Sequence, residues 1–255
     1  MIDVTPQPSA SPRLSRVLAH ARLELTMLMR NGEQLLLTVV LPVGLLLVLT
    51  LTETIDIGGD TRVQRLGLVV PSMFALAVLS TSFTALAIQT GFERRYGVLR
   101  RIGTTPLSRG DILAGKAVAV LAIEGAQVVA LGALGTALGW RPDPVGLLLA
   151  VPLILLGSAT LASLALLLAG VVRAEATLAV ANLAYLVLAS AGVVVPVAKA
   201  PASIQPLLDL LPSAALAESL RMATIAGTVD WSLVVVLVVW CVAGTLAVGR
   251  WFQWD

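Results

Sequence analysis

The chain has 255 residues, of which 58 % are apolar types and 13 % are charged, and its net charge is +2. Soluble domains carry about a quarter charged residues, so this composition excludes an ordinary soluble enzyme and points to a chain dissolved largely in lipid. The small net charge gives no argument for a nucleic-acid partner, and a single cysteine (Cys241) with a single histidine (His20) excludes an intrachain disulfide and a Cys- or His-based metal cluster.

Residues 1–12, rich in Pro and Ser, are expected to form a disordered tail. The first long apolar run starts near Gln34, too far in for a signal peptide. From Arg13 the pattern turns helical, with Leu14, Val17, Leu18, Ala21, Leu25 and Leu28 on one face and Arg13, Arg16, His20, Glu24 and Asn31 elsewhere. Ser11 is placed to cap this helix, with Pro12 in its first turn. An amphipathic helix over 13–33 is expected to lie along the cytoplasmic membrane surface.

Six stretches are then long enough to cross roughly 30 Å of hydrocarbon at about 20 residues each: 34–52, 66–88, 112–138, 145–171, 177–197 and 232–248. The expected fold is an all-α integral membrane protein whose six spans fill residues 34–255. Between the second and third stretches lies the basic loop Gln89–Lys116. Glu93–Arg101 is expected to continue as a helix and Gly103, Thr104, Thr105 and Pro106 to break it. Ser108 with Asp111 three residues later forms a capping box that restarts a helix.

Lys and Arg divide twelve to five between the two sides of this layout, which puts both termini and the basic loop in the cytoplasm. Trp140 and Trp231 are expected at the outer interface, and Trp251, Phe252 and Trp254 at the inner one. The segment Ala198–Asp230 is too apolar for a free loop and too interrupted by prolines for a span. It reads as a re-entrant or interfacial helical hairpin, with Ser213 capping a helix to about Ala226 and Glu218 pairing with Arg221.

There is no G-x-x-x-x-G-K-[ST] loop, so the chain does not hold ATP in that way, and no set of catalytic groups marks it as an enzyme. Glu124, with Gln127 a turn further on, is the clearest ionisable group at membrane depth. Two readings fit it: a contact for a polar or cationic part of cargo, or a structural role, as a hydrogen bond between helices or simply a carboxyl kept protonated by burial. Asn182 and Tyr185 read as packing and hydrogen-bonding residues. Together with Glu218 and Arg221 these four complete the candidate substrate path. A stand-alone ion-coupled carrier or channel using Glu124 is the alternative function.

The loop E-R-R-Y-G-V-L-R-R-I-G-T-T-P-L-S-R-G-D-I-L-A-G-K resembles the signature of ABC type-2 exporter permeases, the group that contains daunorubicin-exporter-like drug- and antibiotic-resistance proteins of actinobacteria. Glu93, Gly97, Leu99, Arg100, Thr105, Pro106, Leu107, Ser108, Arg109, Gly115 and Lys116 carry the match. Pro212, Glu218 and Arg221 resemble the family's second mark. The resemblance implies a permease subunit of a bacterial cytoplasmic-membrane exporter for a hydrophobic or amphipathic compound, paired with a second permease and with two ATPase subunits that hold ATP and Mg. It makes the 13–33 helix a connecting helix and residues 89–110 the coupling helix. ATPase coupling then falls to the matched residues from Glu93 to Arg109, together with Arg94, Tyr96 and Arg101.

Overall fold

The computed structural model describes residues 11–30, 32, 36–52, 58–59, 61–102 and 104–252, and every regular element among them is helical. The tail over 1–10, Asn31, Gly103 and Trp254 lie outside the described residues. In chain order the helices are α1 (Arg13–Met29), α2 (Leu36–Val40 as π-turns, then Leu41–Leu51) and α3 (Arg62–Arg95). The short α4 (Val98–Ile102) leads into α5 (Arg109–Leu138), α6 (Pro144–Val171) and α7 (Ala174–Val193). The chain closes with α8 (Gln205–Asp209), α9 (Pro212–Ala226) and α10 (Trp231–Trp251).

Among the described residues five helices, α3, α5, α6, α7 and α10, are long and apolar enough to span a bilayer, so this is a multi-pass membrane protein. In the first apolar stretch, expected as a span over 34–52, the described apolar helix is shorter than these five, and residues 34 and 35 lie outside the described residues.

Helix ends follow their sequence signals. Thr61 and Gln64 form a capping box at α3, Asp143 accepts from the Gly146 N–H at 2.8 Å with Pro144 in the first turn of α6, and Asp230 accepts from Ser232 at α10. Two expected caps are not used. Pro12, not Ser11, is the N-cap of α1, without a side-chain bond. Leu211 precedes α9, whose Ser213 lies inside the helix and donates to the Leu188 carbonyl at 3.3 Å. Pro212 already fixes the first turn there, so no side-chain cap is needed.

α3 is the axis of the bundle: Met73, Phe74, Leu76 and Leu79 are fully or almost fully buried, and α2, α5, α6, α7 and α9 pack around it. A π-helical stretch, Leu79–Ala85, interrupts it in the middle and carries the run Ser80–Thr84. Helices α8 and α9 form the helical pair expected before the last span, and α9 is wedged between α3, α6 and α10. Its approach to α6 needs glycine: a Cβ on Gly146 would stand 1.9 Å from the Ala223 carbonyl oxygen. Trp140 is not an interface marker, because it is 5 % exposed and packs edge-on against Phe74 with centroids 5.8 Å apart. Trp231 and Trp251 are exposed, and the Phe252 ring lies over Gly170.

α1 lies along α5. The structure buries Val17, His20, Ala21, Glu24 and Leu28 and leaves Leu14, Leu18 and Met29 exposed. This corrects the expected division of faces. Two of the polar residues turn inward, and only half of the apolar stripe meets the bundle. The reason is a cation on the facing helix, described below.

Candidate functional site

The loop between α3 and α5 is built from stops and restarts. α3 ends at Arg95, and Gly97 at φ +66° turns the chain in the left-handed region that glycine adopts without strain. The helix therefore breaks six residues earlier than Gly103, and α4 is a separate turn. Past α4, the Thr104 hydroxyl donates to the Arg101 carbonyl at 2.7 Å and Thr105 donates to Ile102 at 2.6 Å. These bonds occupy carbonyls that a helix end leaves open. Pro106 then leads to the expected box: the Asp111 N–H donates to Ser108 Oγ and the Ser108 N–H to Asp111 Oδ2, both at 3.1 Å.

Within this segment the candidate residues split. Tyr96 is 63 % exposed, and Arg100, Arg101, Thr105, Pro106, Ser108 and Arg109 are exposed around it. Leu107 is half-buried, and Leu99 and Glu93 point inward. Arg94 donates to the carbonyls of Gly170 and Val172, the latter at 2.7 Å, at the end of α6. Arg95 pairs with Glu175 at the start of α7 and lies 5.7 Å from the Tyr96 ring, which stacks on Phe92. The root of the segment is thus tied down on α6 and α7, while its tip projects.

Beneath the root is a buried ionic cluster. Lys116 on α5 reaches Glu93 on α3 at 2.6 Å and Glu24 on α1 at 2.9 Å. Gln89 donates to Glu93 Oε1 at 2.8 Å and also to Glu24. His20 Nε2 stands 3.2 Å from Glu24 Oε1, close but not aligned as a hydrogen bond, and its ring covers Gly115, where a Cβ would fall 2.5 Å from Cδ2. Burial pushes the Glu24 carboxyl above the usual range, with Lys116 opposing, and burial together with Lys116 pushes His20 down. Arg13 at 2.7 Å and Arg16 at 3.4 Å hold Asp111, so the cap of α5 is fastened to α1 as well. Neither the Glu93–Lys116 pair nor the inward turn of His20 and Glu24 could be read from periodicity, because the partners lie on separate helices.

The mid-bundle group brings Glu124 and Gln127 together with the π-helical stretch of α3. Ser82 donates to Glu124 Oε1 at 2.5 Å and Ser158 on α6 to Oε2. Thr81 donates to Gln127 Oε1 at 3.1 Å, and Gln127 donates to the Thr38 carbonyl. The visible signal for these partners was the run S-T-S-F-T inside an otherwise apolar stretch. Asn182 and Tyr185 lie on α7, and neither Asn182 Oδ1 nor the buried Tyr185 hydroxyl has a hydrogen-bond partner among the described residues.

The last two candidates form a clamp away from that group. Arg221, 2 % exposed, reaches Glu218 at 2.9 Å, Ser72 Oγ at 3.1 and 2.8 Å, and the carbonyls of Gly192, at 3.0 Å, and Val193. Those bonds use all five guanidinium donors. They satisfy carbonyls at the end of α7, where Gly192 at φ +92° breaks the helix. A saturated arginine of this kind holds α9 to α3 and α7.

A family model described as "ABC-2 type transporter" matches residues 17–225, from the buried face of α1 to the end of α9. No curated protein matches the chain.

Proposed function

The chain belongs to the ABC-2 type transporter family, and on that premise we propose that it is the permease subunit of an exporter that moves a hydrophobic or amphipathic compound out of the bacterial cytoplasm. Two separate ATPase subunits carry ATP and Mg, and a second permease, the same chain or a paralogue, completes the membrane unit. Six spans, with both termini and the α3–α5 loop in the cytoplasm, fit this reading, as the twelve-to-five distribution of cations does.

The observation that carries the proposal is the tip of this loop, where Arg100, Arg101, Thr104, Thr105 and Pro106 are exposed. It is exposed and basic, closed at both ends by defined turns, and rooted on α1, α5, α6 and α7 through Asp111, Lys116, Arg94 and Arg95. A push on such a tip is delivered to several helices at once, which is what a motor outside the membrane requires of its lever. The exposed arginines suit acidic groups on the ATPase. The stand-alone carrier is not favoured, since family membership ties the chain to a partner that supplies the energy.

Thr105→Cys tests the contact. With Cys241 replaced by Ala, a bifunctional thiol reagent should link Thr105→Cys to a cysteine in the cleft of the ATPase in intact membranes. Cross-linking that appears only in detergent, or only between permease copies, would remove the assignment.

A further inference from the structure

A cavity of about 140 Å³ opens between α3, α5 and α6, lined by Ser82, Lys116, Leu121, Leu155, Ser158 and Ala159 among others. At about 30 Å³ per water-sized group it holds roughly four or five such groups. Its mouth is apolar and outward: Leu121 and Leu155 are 36 % and 48 % exposed, and Ala159 is exposed as well. In a membrane-spanning bundle that mouth meets lipid. Its deep wall is polar, made of the Ser82 and Ser158 hydroxyls, each almost fully buried.

With Glu124 ionised, both hydroxyls commit their one proton to it; it lies behind them and is 1 % exposed. What remains on each Oγ is acceptor capacity, strengthened by the carboxylate it donates to. The wall therefore receives hydrogen-bond donors and rejects acceptors. Among the described residues no cationic side chain pairs with Glu124. Lys116, at the loop end of the cavity, is already matched by Glu24 and Glu93. A cation in the cavity stabilises an ionised carboxylate in hydrocarbon, so cation binding and the ionised form of Glu124 favour one another.

We infer that this cavity is a side-entry subsite for the ammonium head of a cationic amphipath, which enters between α5 and α6, sets its N–H groups on Ser82 and Ser158, draws its counter-charge from Glu124 and leaves its apolar tail along Leu121 and Leu155. The inference deepens the proposed function and rests on it, by giving the amphipathic cargo a charge and a point of entry.

The test is equilibrium binding to the full chain in phosphatidylcholine nanodiscs, with dodecylammonium and dodecanol as probes and empty nanodiscs subtracted for partitioning. Wild type should bind the ammonium about tenfold more tightly than the alcohol, the scale of one charge-assisted contact. E124Q should bring the two affinities together. S158A, which keeps the carboxylate and removes one acceptor, should weaken the ammonium several-fold and leave the alcohol unchanged. It also decides the matter should E124Q not fold. Equal affinities in wild type, or an ammonium preference that survives in the variants, overturns the subsite. If the preference is absent while ATP-driven export of a neutral amphipath persists, only the subsite fails. Transport that runs without the ATPase sinks the permease reading and leaves the binding result standing.

Discussion

The cluster around Lys116 and the tip at Arg100–Pro106 are neighbours in sequence and opposites in physics. In the cluster, charges are withdrawn from water and fixed by 2.6–2.9 Å contacts across α1, α3 and α5. At the tip, arginines are left in water on a turn of helix defined by its two ends. The residues on which the chain resembles exporter permeases run through both. The difference teaches that this stretch is two devices joined end to end: Glu93, Gly115 and Lys116 build a foundation, and residues such as Gly97 and Ser108 shape what stands on it. Gly115 belongs to the foundation because His20 occupies the space its side chain would fill.

The largest expected effect falls on the foundation. Lys116→Met leaves Glu24 and Glu93 buried without their cation, and removing one partner of a buried pair costs about 3–5 kcal/mol. The thermal midpoint of the purified chain should fall sharply, and the triple variant with Glu24→Gln and Glu93→Gln should regain most of the loss. A single variant as stable as wild type would deny the cluster its structural role. Gly97→Ala comes next. No atom lies within 4 Å of its Cβ position, so the change acts only through the left-handed φ and should cost about 1 kcal/mol. Cargo-dependent ATP hydrolysis should drop by more than stability does, because the direction of the tip is altered. An equal drop in both would make Gly97 a matter of folding alone.

A smaller effect separates the two devices by pH. His20 sits below its ordinary value near 6.5 because of burial, so the unfolded chain takes up its proton first. Stability is full above about pH 6.5 and is lost as pH falls from there toward the folded value. Glu24 acts in the other sense. Its raised carboxyl keeps a proton that the unfolded chain has released, so its contribution declines as pH rises from about 4.5 toward the folded value. His20→Asn should flatten the stability profile just below pH 6.5, measured by thermal midpoint across a buffer series. Charge changes at the tip should leave that profile as it is.

Much of this was legible in the sequence, and the rest was hidden for definite reasons. The Ser108–Asp111 box and the Glu218–Arg221 pair are local in sequence, so spacing alone revealed them. The long apolar runs foretold α5, α6 and α10 within a few residues. Helical periodicity separated His20 and Glu24 from the apolar face of α1, but a face is buried by what it meets, and Lys116 was ninety-two residues from Glu24. Glu93 was placed among the coupling residues by resemblance, and its contacts with Lys116 and Gln89 could not be read from the loop. Trp140 looked like an interface residue by type and is held inside by Phe74.

The central claim, that the ATPase pushes on the tip, is tested most directly by Arg100→Glu with Arg101→Glu in the reconstituted permease–ATPase complex. Both side chains are exposed, so stability should change by no more than an ordinary surface substitution does, about 0.5 kcal/mol. Cargo-stimulated ATP hydrolysis and ATPase retention on the tagged permease should both collapse. A complex that stays assembled and hydrolyses ATP in response to cargo at the wild-type rate would contradict the account.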